Sequence, residues 1–66
     1  MKKIIYLKND KEFKKRLPEL IKKYNLKDIP NNLVGRTLLG DGIKITIDND
    51  DVEVSIFRKS IKFDFK

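Results

Sequence analysis

The chain has 66 residues, of which 16 are Lys or Arg and 10 are Asp or Glu, so its net charge is +6 at neutral pH. It contains no cysteine and no histidine, which excludes disulfides and leaves almost no ligands for zinc or another transition metal. The short length predicts one small domain over residues 1–66. A chain of this size buries only about 60% of the surface that its unfolded form exposes, so a marginal stability is expected.

The positive charge is concentrated in the N-terminal part of the chain. Residues 1–27 contain ten basic and three acidic side chains, a net charge of +7, whereas residues 28–66 contain six basic and seven acidic ones. An anionic partner is therefore the first to consider. The longest apolar run, residues 4–7, is too short to cross a bilayer or to form the core of a secretory signal. We expect a soluble, cytoplasmic protein with no membrane partner.

The first third of the chain predicts a strand followed by a helix. Residues 3–7 are mostly apolar and β-prone, which is typical of a short strand. Asn9 is the predicted N-cap of the helix, with Glu12 as its capping-box partner. Pro18 predicts a kink, or a break into two short helices. An apolar stripe covers the face opposite Pro18 with helical spacing: Phe13, Leu17, Leu20, Ile21 and Tyr24.

The rest of the chain predicts a connection and then a sheet. Residues 25–42 are rich in Gly, Pro and Asn and predict an ordered connection, in which residues 33–39 are the candidate for a short strand. Residues 43–65 alternate apolar and polar side chains in three segments. Turns at Asn49-Asp50 and Arg58-Lys59 bring every apolar residue to one face. The predicted pairs are 47–52, 45–54 and 43–56, then 56–61, 54–63 and 52–65.

These elements together predict an α+β fold. A short N-terminal strand and a kinked amphipathic helix precede a three-stranded antiparallel meander that packs on the helix, in the order β-α-β-β-β. The first strand is expected to join this sheet as a fourth strand.

Basic side chains form the main candidate site. Several lysines of the predicted helix lie away from its apolar stripe, and unpaired lysine can neutralise phosphates and release counterions. The alternative is a solvated helix face without a partner. We predict that nucleic acid or another anionic partner binds at these residues: Lys11, Lys14, Lys15, Lys22 and Lys23, with Arg36 of the connection second.

Two aromatic residues form a second candidate surface. If Leu7 faces the core then Tyr6 faces outward, and Phe57 faces outward by its parity with Glu53. Tyr6 and Phe57 would then offer a stacking platform for bases or an apolar contact for a protein. The alternative is that the first strand is central in the sheet and is covered on both faces by residues 25–42.

Two segments come close to known motifs without matching them. Residues 35–42 contain Gly-x4-Gly, but Asp41 stands where a phosphate loop needs Lys. Residues 48–53 offer carboxylates without the spacing of an EF-hand. No hydroxyl residue stands in a nucleophile motif, and so small a fold offers no deep cleft to shift a carboxyl pKa. We therefore predict no metal, no cofactor and no catalysis.

The sequence thus predicts a small basic, non-catalytic protein that acts on nucleic acid or on a nucleoprotein complex. Its size and its residue usage, typical of AT-rich genes, fit a phage or mobile-element inhibitor of host nucleic-acid machinery, of the anti-CRISPR or anti-restriction type. The alternative is a protein-interaction module or self-associating regulator that uses Tyr6, Phe57 and a free sheet edge. A small toxin-like nuclease is disfavoured by the lack of histidine.

Overall fold

The computed structural model describes residues 3–30 and 35–63. These residues form one helix and five strands, and the strands make a single antiparallel sheet in the order β1-β5-β4-β3-β2. The predicted α+β class, with a strand, a helix and then an antiparallel sheet, is confirmed, and the sheet has a fifth strand. The elements are β1 (Lys3–Lys8), α1 (Lys11–Tyr24), β2 (Lys27–Ile29), β3 (Arg36–Leu39), β4 (Ile43–Ile47) and β5 (Asp51–Ile56).

The strands β4 and β5 form the hairpin that the alternating pattern predicts. Both strands place a β-branched apolar residue at every second position, so only one register brings all of these residues to the same face. The backbone amide of Asp48 donates to the carbonyl of Asp51 and closes the turn. The three predicted pairs are confirmed: 47 with 52, 45 with 54, and 43 with 56.

The third strand of the predicted meander is not formed. Residues 61–63 are not in a strand, so the predicted pairs 56–61 and 54–63 are wrong. The predicted pair 52–65 involves Phe65, which lies outside the described residues. The physical reason is that β5 has only two edges: β4 occupies one, and β1 pairs along the other. On that edge Val54 pairs with Ile5.

The apolar residues of the C-terminal segment still reach the core. Ile61 and Phe63 are partly buried and pack against it without belonging to a strand. The ring of Phe63 stacks on the ring of Tyr24, with centroids 5.7 Å apart. The hydroxyl of Tyr24 donates to the carbonyl oxygen of Lys62 at 2.9 Å. The alternation of this segment therefore indicated burial against the helix and not strand pairing.

Residues 25–42 are more regular than the predicted connection. They contribute β2 and β3, which form a hairpin in which Asp28 pairs with Leu38. The candidate strand over residues 33–39 is confirmed from Arg36 to Leu39, while Leu33 and Val34 lie outside the described residues. β3 also pairs with β4, so this hairpin extends the sheet at the side opposite β1.

The N-terminus of α1 is capped one residue later than predicted. The N-cap is Asp10, whose carboxylate accepts a hydrogen bond from the backbone amide of Phe13 at 2.9 Å. Asn9 has a different role. Its side-chain amide donates to the carbonyl oxygens of Asp48 at 2.7 Å and of Asn49 at 3.3 Å. Asn9 therefore joins the start of the helix to the β4–β5 turn.

A single helix runs through Pro18, so the predicted alternative of two short helices is wrong. Pro18 has no amide to donate to the carbonyl of Lys14. Because Pro18 is exposed, on the side opposite the buried stripe, water can satisfy that carbonyl and the core is undisturbed. The helix ends at Asn25, which adopts the left-handed conformation with φ 54° and donates its backbone amide to the carbonyl of Ile21.

The two faces of the sheet have different surroundings. We call the face that packs against α1 the inner face. One of its rows runs Ile5–Val54–Ile45–Leu38 across four strands. Phe13 and Leu20 of α1 complete the same core. The buried apolar residues are Phe13, Leu20, Leu26, Leu38, Ile43, Ile45, Val52, Val54 and Ile56.

The opposite face, which we call the outer face, has no helix or strand of the described residues packed on it. Its side chains are those that alternate with the core residues along each strand. The pairing register arranges them in two rows across all five strands. The rows are Ile4–Ser55–Lys44–Leu39–Lys27 and Tyr6–Glu53–Thr46–Thr37–Ile29.

Candidate functional site

The five predicted site residues of α1 are all exposed. At about 100° per residue around the helix, Lys11, Lys15 and Lys22 lie together opposite the apolar stripe, while Lys14 and Lys23 lie on opposite flanks. The helix presents all five lysines to solvent because its apolar stripe is held in the core through Phe13 and Leu20. We call them the lysine face: Lys11, Lys14, Lys15, Lys22 and Lys23. In residues 3–30 and 35–63 none of the five forms a salt bridge. Their ammonium groups therefore form no close ion pair with a carboxylate of the described residues.

The electrostatic environment changes along the lysine face. The N-terminal end of α1 carries Asp10 and Glu12, and Asn9 ties that end to the acidic β4–β5 turn. The C-terminal end carries Lys22 and Lys23 in the last turn, where cations interact favourably with the helix dipole. The ammonium group of Lys23 lies 5.5 Å from the centre of the Tyr24 ring. Acidic and basic side chains therefore occur together at the N-terminal end of α1, whereas the charged side chains of its last turn are basic.

Two further lysines lie at the same end of the molecule and were not predicted as site residues. Leu39 pairs with Lys27 on one side and with Lys44 on the other. The turn that follows Leu39 lies against the C-terminus of α1, since a Cβ on Gly40 would lie 2.7 Å from the carbonyl oxygen of Tyr24. Lys27 and Lys44 are exposed. Assigning β2 and β3 from the sequence would have revealed their position.

Arg36 is not part of the lysine face. It stands at the start of β3 and forms a two-pronged salt bridge with Asp28 of β2. Nε lies 2.6 Å from one carboxylate oxygen, and Nη2 lies 3.0 Å from the other. The hydrogen bond from Arg36 lowers the pKa of Asp28, and the same bond raises the pKa of Arg36. Arg36 would have to exchange this partner before it could bind another anion, so its predicted role is the weaker one.

The two aromatic residues predicted to face outward do so. Tyr6 is 71% exposed and Phe57 is 45% exposed, and both are on the outer face. The alternative explanation, a central first strand covered by residues 25–42, is wrong. β1 is an edge strand, and the strands of that connection lie at the far side of the sheet. Leu38, one of the residues expected to cover β1, is instead buried in the core.

The remaining chemistry of the described residues is limited. In residues 3–30 and 35–63, no three Asp, Glu, His or Cys side chains are grouped so that they could hold a metal ion. Within the same residues, α1 is neither long enough nor apolar enough to cross a membrane.

Comparison with known proteins gives no relative. No family model, no curated protein sequence and no solved structure matches this chain. The geometry of the lysine face and of the outer face therefore carries the functional argument.

Proposed function

We propose that the protein is a non-catalytic nucleic-acid-binding protein whose lysine face docks on the phosphate backbone. The observation that supports this proposal is the set of five exposed lysines on one helix, none of which is salt-bridged in the described residues. Lys11 and Lys15 stand four residues apart and repel each other by a few tenths of a kcal/mol, about the size measured for like-charge pairs on helices. An anionic backbone relieves this repulsion and releases counterions.

The dimensions of the face fit a short stretch of backbone. Lys11 and Lys22 are eleven residues apart on α1, which corresponds to about 16 Å along a helix axis. That distance equals the rise of about five base pairs, since each adds about 3.4 Å. Lysine is a compact point charge without the planar fork of arginine, so we expect backbone binding with little sequence preference.

The inhibitor role predicted from size and composition is an extension of this proposal. A small protein that covers phosphates competes with any host enzyme that must hold the same strand. The anti-CRISPR or anti-restriction type stays a prediction, because it rests on composition alone.

The test measures binding to a labelled DNA duplex by fluorescence anisotropy. For three to five phosphate contacts, affinity is expected to fall roughly 40- to 500-fold between about 50 and 200 mM salt. The triple variant Lys11→Gln, Lys15→Gln, Lys22→Gln is expected to bind more weakly, and its slope of log affinity against log salt should be shallower by about 2–3.

A matched control separates the lysine face from overall charge. The triple variant Lys8→Gln, Lys59→Gln, Lys62→Gln removes the same three charges from exposed positions outside α1. It should keep most of the affinity and most of the salt dependence. The proposal is contradicted by no binding at the lower salt concentration, which the protein-interaction alternative predicts. Equal loss of affinity in both triple variants would also contradict it.

A further inference from the structure

The outer face carries every large apolar side chain that is exposed in the described residues. The register places Ile4 and Tyr6 at the β1 edge and Ile29 and Leu39 on β2 and β3 at the other side, with the polar outer side chains of β4 and β5 between the two groups. Exposed apolar groups that are rimmed by polar side chains are typical of a surface that contacts another molecule. The residues are Ile4 and Tyr6 on β1, Ile29 on β2, Leu39 on β3, and Phe57 directly after β5.

The charges of the outer face are separated along the strand direction. The end of the outer face near the β4–β5 turn is acidic. It has a shallow depression of about 270 Å³ lined by Asp48, Asp51 and Glu53 together with Tyr6 and Thr46. The other end carries the ammonium groups of Lys27 and Lys44, on either side of Leu39.

One further cation lies at the acidic end of the outer face. The Nζ atom of Lys8 is 3.8 Å from a carboxylate oxygen of Asp51, so this lysine offsets one carboxylate. Asp48 and Glu53 form no salt bridge within the described residues. The outer face therefore has an acidic end and a basic end, with apolar side chains between and beside them.

We propose that the outer face binds the outer face of a second copy of this chain in a two-fold symmetric dimer. The two-fold axis lies between the two copies and runs perpendicular to the strands. This orientation turns the second face end for end. The basic end of each copy then meets the acidic end of the other. Lys44 lies over Thr46 of the second copy, one strand spacing of about 4.8 Å to the side of the second copy's Glu53. Tyr6 packs over Ile4 of the second copy on the β1 side.

The charge pattern selects this orientation over the other two-fold arrangement. An axis parallel to the strands would place acidic end on acidic end and basic end on basic end, which is repulsive. The net charge of +6 does not prevent association, because the lysine face lies on the other side of the sheet. A helix layer and a sheet spacing of about 10 Å separate it from the contact, more than the screening length of about 8 Å at physiological salt.

The size of the outer face suits a weak, reversible contact. The strands β1 to β5 hold 6, 3, 4, 5 and 6 residues, and at about 3.3 Å per residue and about 4.8 Å between strands they cover a projected area on the order of 380 Å². The accessible area of a surface with side chains is larger than its projection. An area of this order belongs to the weak, transient interfaces, which bury less than about 600 Å² per partner. A second copy of the chain supplies the complementary charge at both ends of this face at once, because each copy carries one basic end and one acidic end.

The experiment is sedimentation equilibrium over a wide range of protein concentration, with a charge exchange as its central comparison. The wild-type chain should show a monomer–dimer equilibrium. Lys44→Glu and Glu53→Lys should each raise the dimer Kd roughly tenfold or more, because each creates like-charge contacts. The double variant Lys44→Glu, Glu53→Lys has the wild-type net charge and should regain most of the affinity.

Two single variants separate dimerisation from folding. Tyr6→Ser removes an exposed ring and should also weaken the dimer, while circular dichroism shows the same folded spectrum as the wild-type chain. Lys15→Glu, on the lysine face, should leave the dimer Kd unchanged. A wild-type chain that stays monomeric up to about 1 mM, an affinity limit of only about −4 kcal/mol, overturns the proposal. A double variant as weak as the single ones also overturns it.

Discussion

The inner and outer faces of the sheet are built from the same strands, yet they differ in what they contact. The inner face holds branched apolar side chains such as Ile45 and Val54 that α1 removes from water. The outer face interleaves apolar side chains with charged ones, and Tyr6 is 71% exposed there. Alternation along a strand thus supplies folding energy on the inner side and leaves the other set of side chains in solvent. A small domain can combine the two because each strand residue points to only one face.

The largest expected effect tests this division of roles directly. Phe13→Ala removes a fully buried ring and should lower the free energy of unfolding by about 3–5 kcal/mol. Tyr6→Ala should change it by no more than about 0.5 kcal/mol. Urea denaturation measures both, at a protein concentration low enough to keep the chain monomeric. Similar losses of unfolding free energy in the two variants would contradict the assignment of Phe13 to the core and of Tyr6 to the exposed face.

A milder core variant keeps this test informative when Phe13→Ala leaves no folded protein. Ile45→Val shortens a fully buried side chain by one methyl group and should cost about 0.5–1.5 kcal/mol. Thr46→Ala, the next residue on the same strand, points to the outer face and serves as its control. A cost for Thr46→Ala as large as that for Ile45→Val would contradict the assignment of the two faces.

A smaller effect is expected where the helix is attached to the inner face. Asp10→Ala removes the N-cap hydrogen bond to Phe13 and should cost about 0.5–2 kcal/mol. Asn9→Ala removes two exposed hydrogen bonds to the β4–β5 turn and should cost about 0.5–1.5 kcal/mol. Thermal unfolding measures both. Asp50→Ala, in the same turn, is the control, and a loss there equal to that of Asp10→Ala would contradict the capping role.

The smallest effect is expected at the edge of the inner face, beyond the cover of α1. Asp28 and Arg36 have inner-face register but stay exposed, so they test whether register alone confers burial. The hydrogen bond from Arg36 lowers the pKa of Asp28. The pair therefore stabilises the fold above the ordinary pKa of aspartate, and this contribution disappears as the pH falls through the lowered pKa. Because the pair is exposed, the change in stability should be small.

Titration of the Asp28 carboxyl carbon by NMR measures this pKa. In Arg36→Gln the pKa should return toward the ordinary range of aspartate. Lys27→Gln, which removes a neighbouring charge without touching the hydrogen bond, should move it much less. An unchanged pKa in Arg36→Gln would show that the bond does not form in solution.

The sequence predicted the part of the fold in which local pattern and a short turn determine the pairing. The β4–β5 register follows from two runs of period 2 joined at Asn49-Asp50, so three pairs were correct. The same reasoning failed for residues 61–63, because alternation shows that Ile61 and Phe63 are buried without showing what they contact. Both β1 and residues 61–63 could pair with the free edge of β5, and β1 does so. The outcome depends on segments about fifty residues apart, so the local sequence pattern of either segment cannot predict it.

The candidate site was predictable to a similar degree. Helical periodicity alone placed the lysines of α1 in solvent. The position of Lys27 and Lys44 was missed because β2 has three exposed residues and no alternation. The cap was misplaced by one residue, since Asn9 and Asp10 are both good caps and only the distant contact of Asn9 with Asp48 distinguishes them. These failures share one cause, which is that the deciding partner lies far away in the chain.

The pairing of β1 with β5 also determines when the molecule can assemble on the ribosome. Lys3 pairs with Ile56, so within residues 3–30 and 35–63 the first strand, β1, takes its partner from the last strand, β5. At about 5–20 residues per second, β1 waits roughly 2–10 s for that strand. During this interval α1 has no complete sheet on which to pack. Folding is therefore expected to occur late and in one cooperative step, once residue 56 has emerged, and not progressively from the N-terminus.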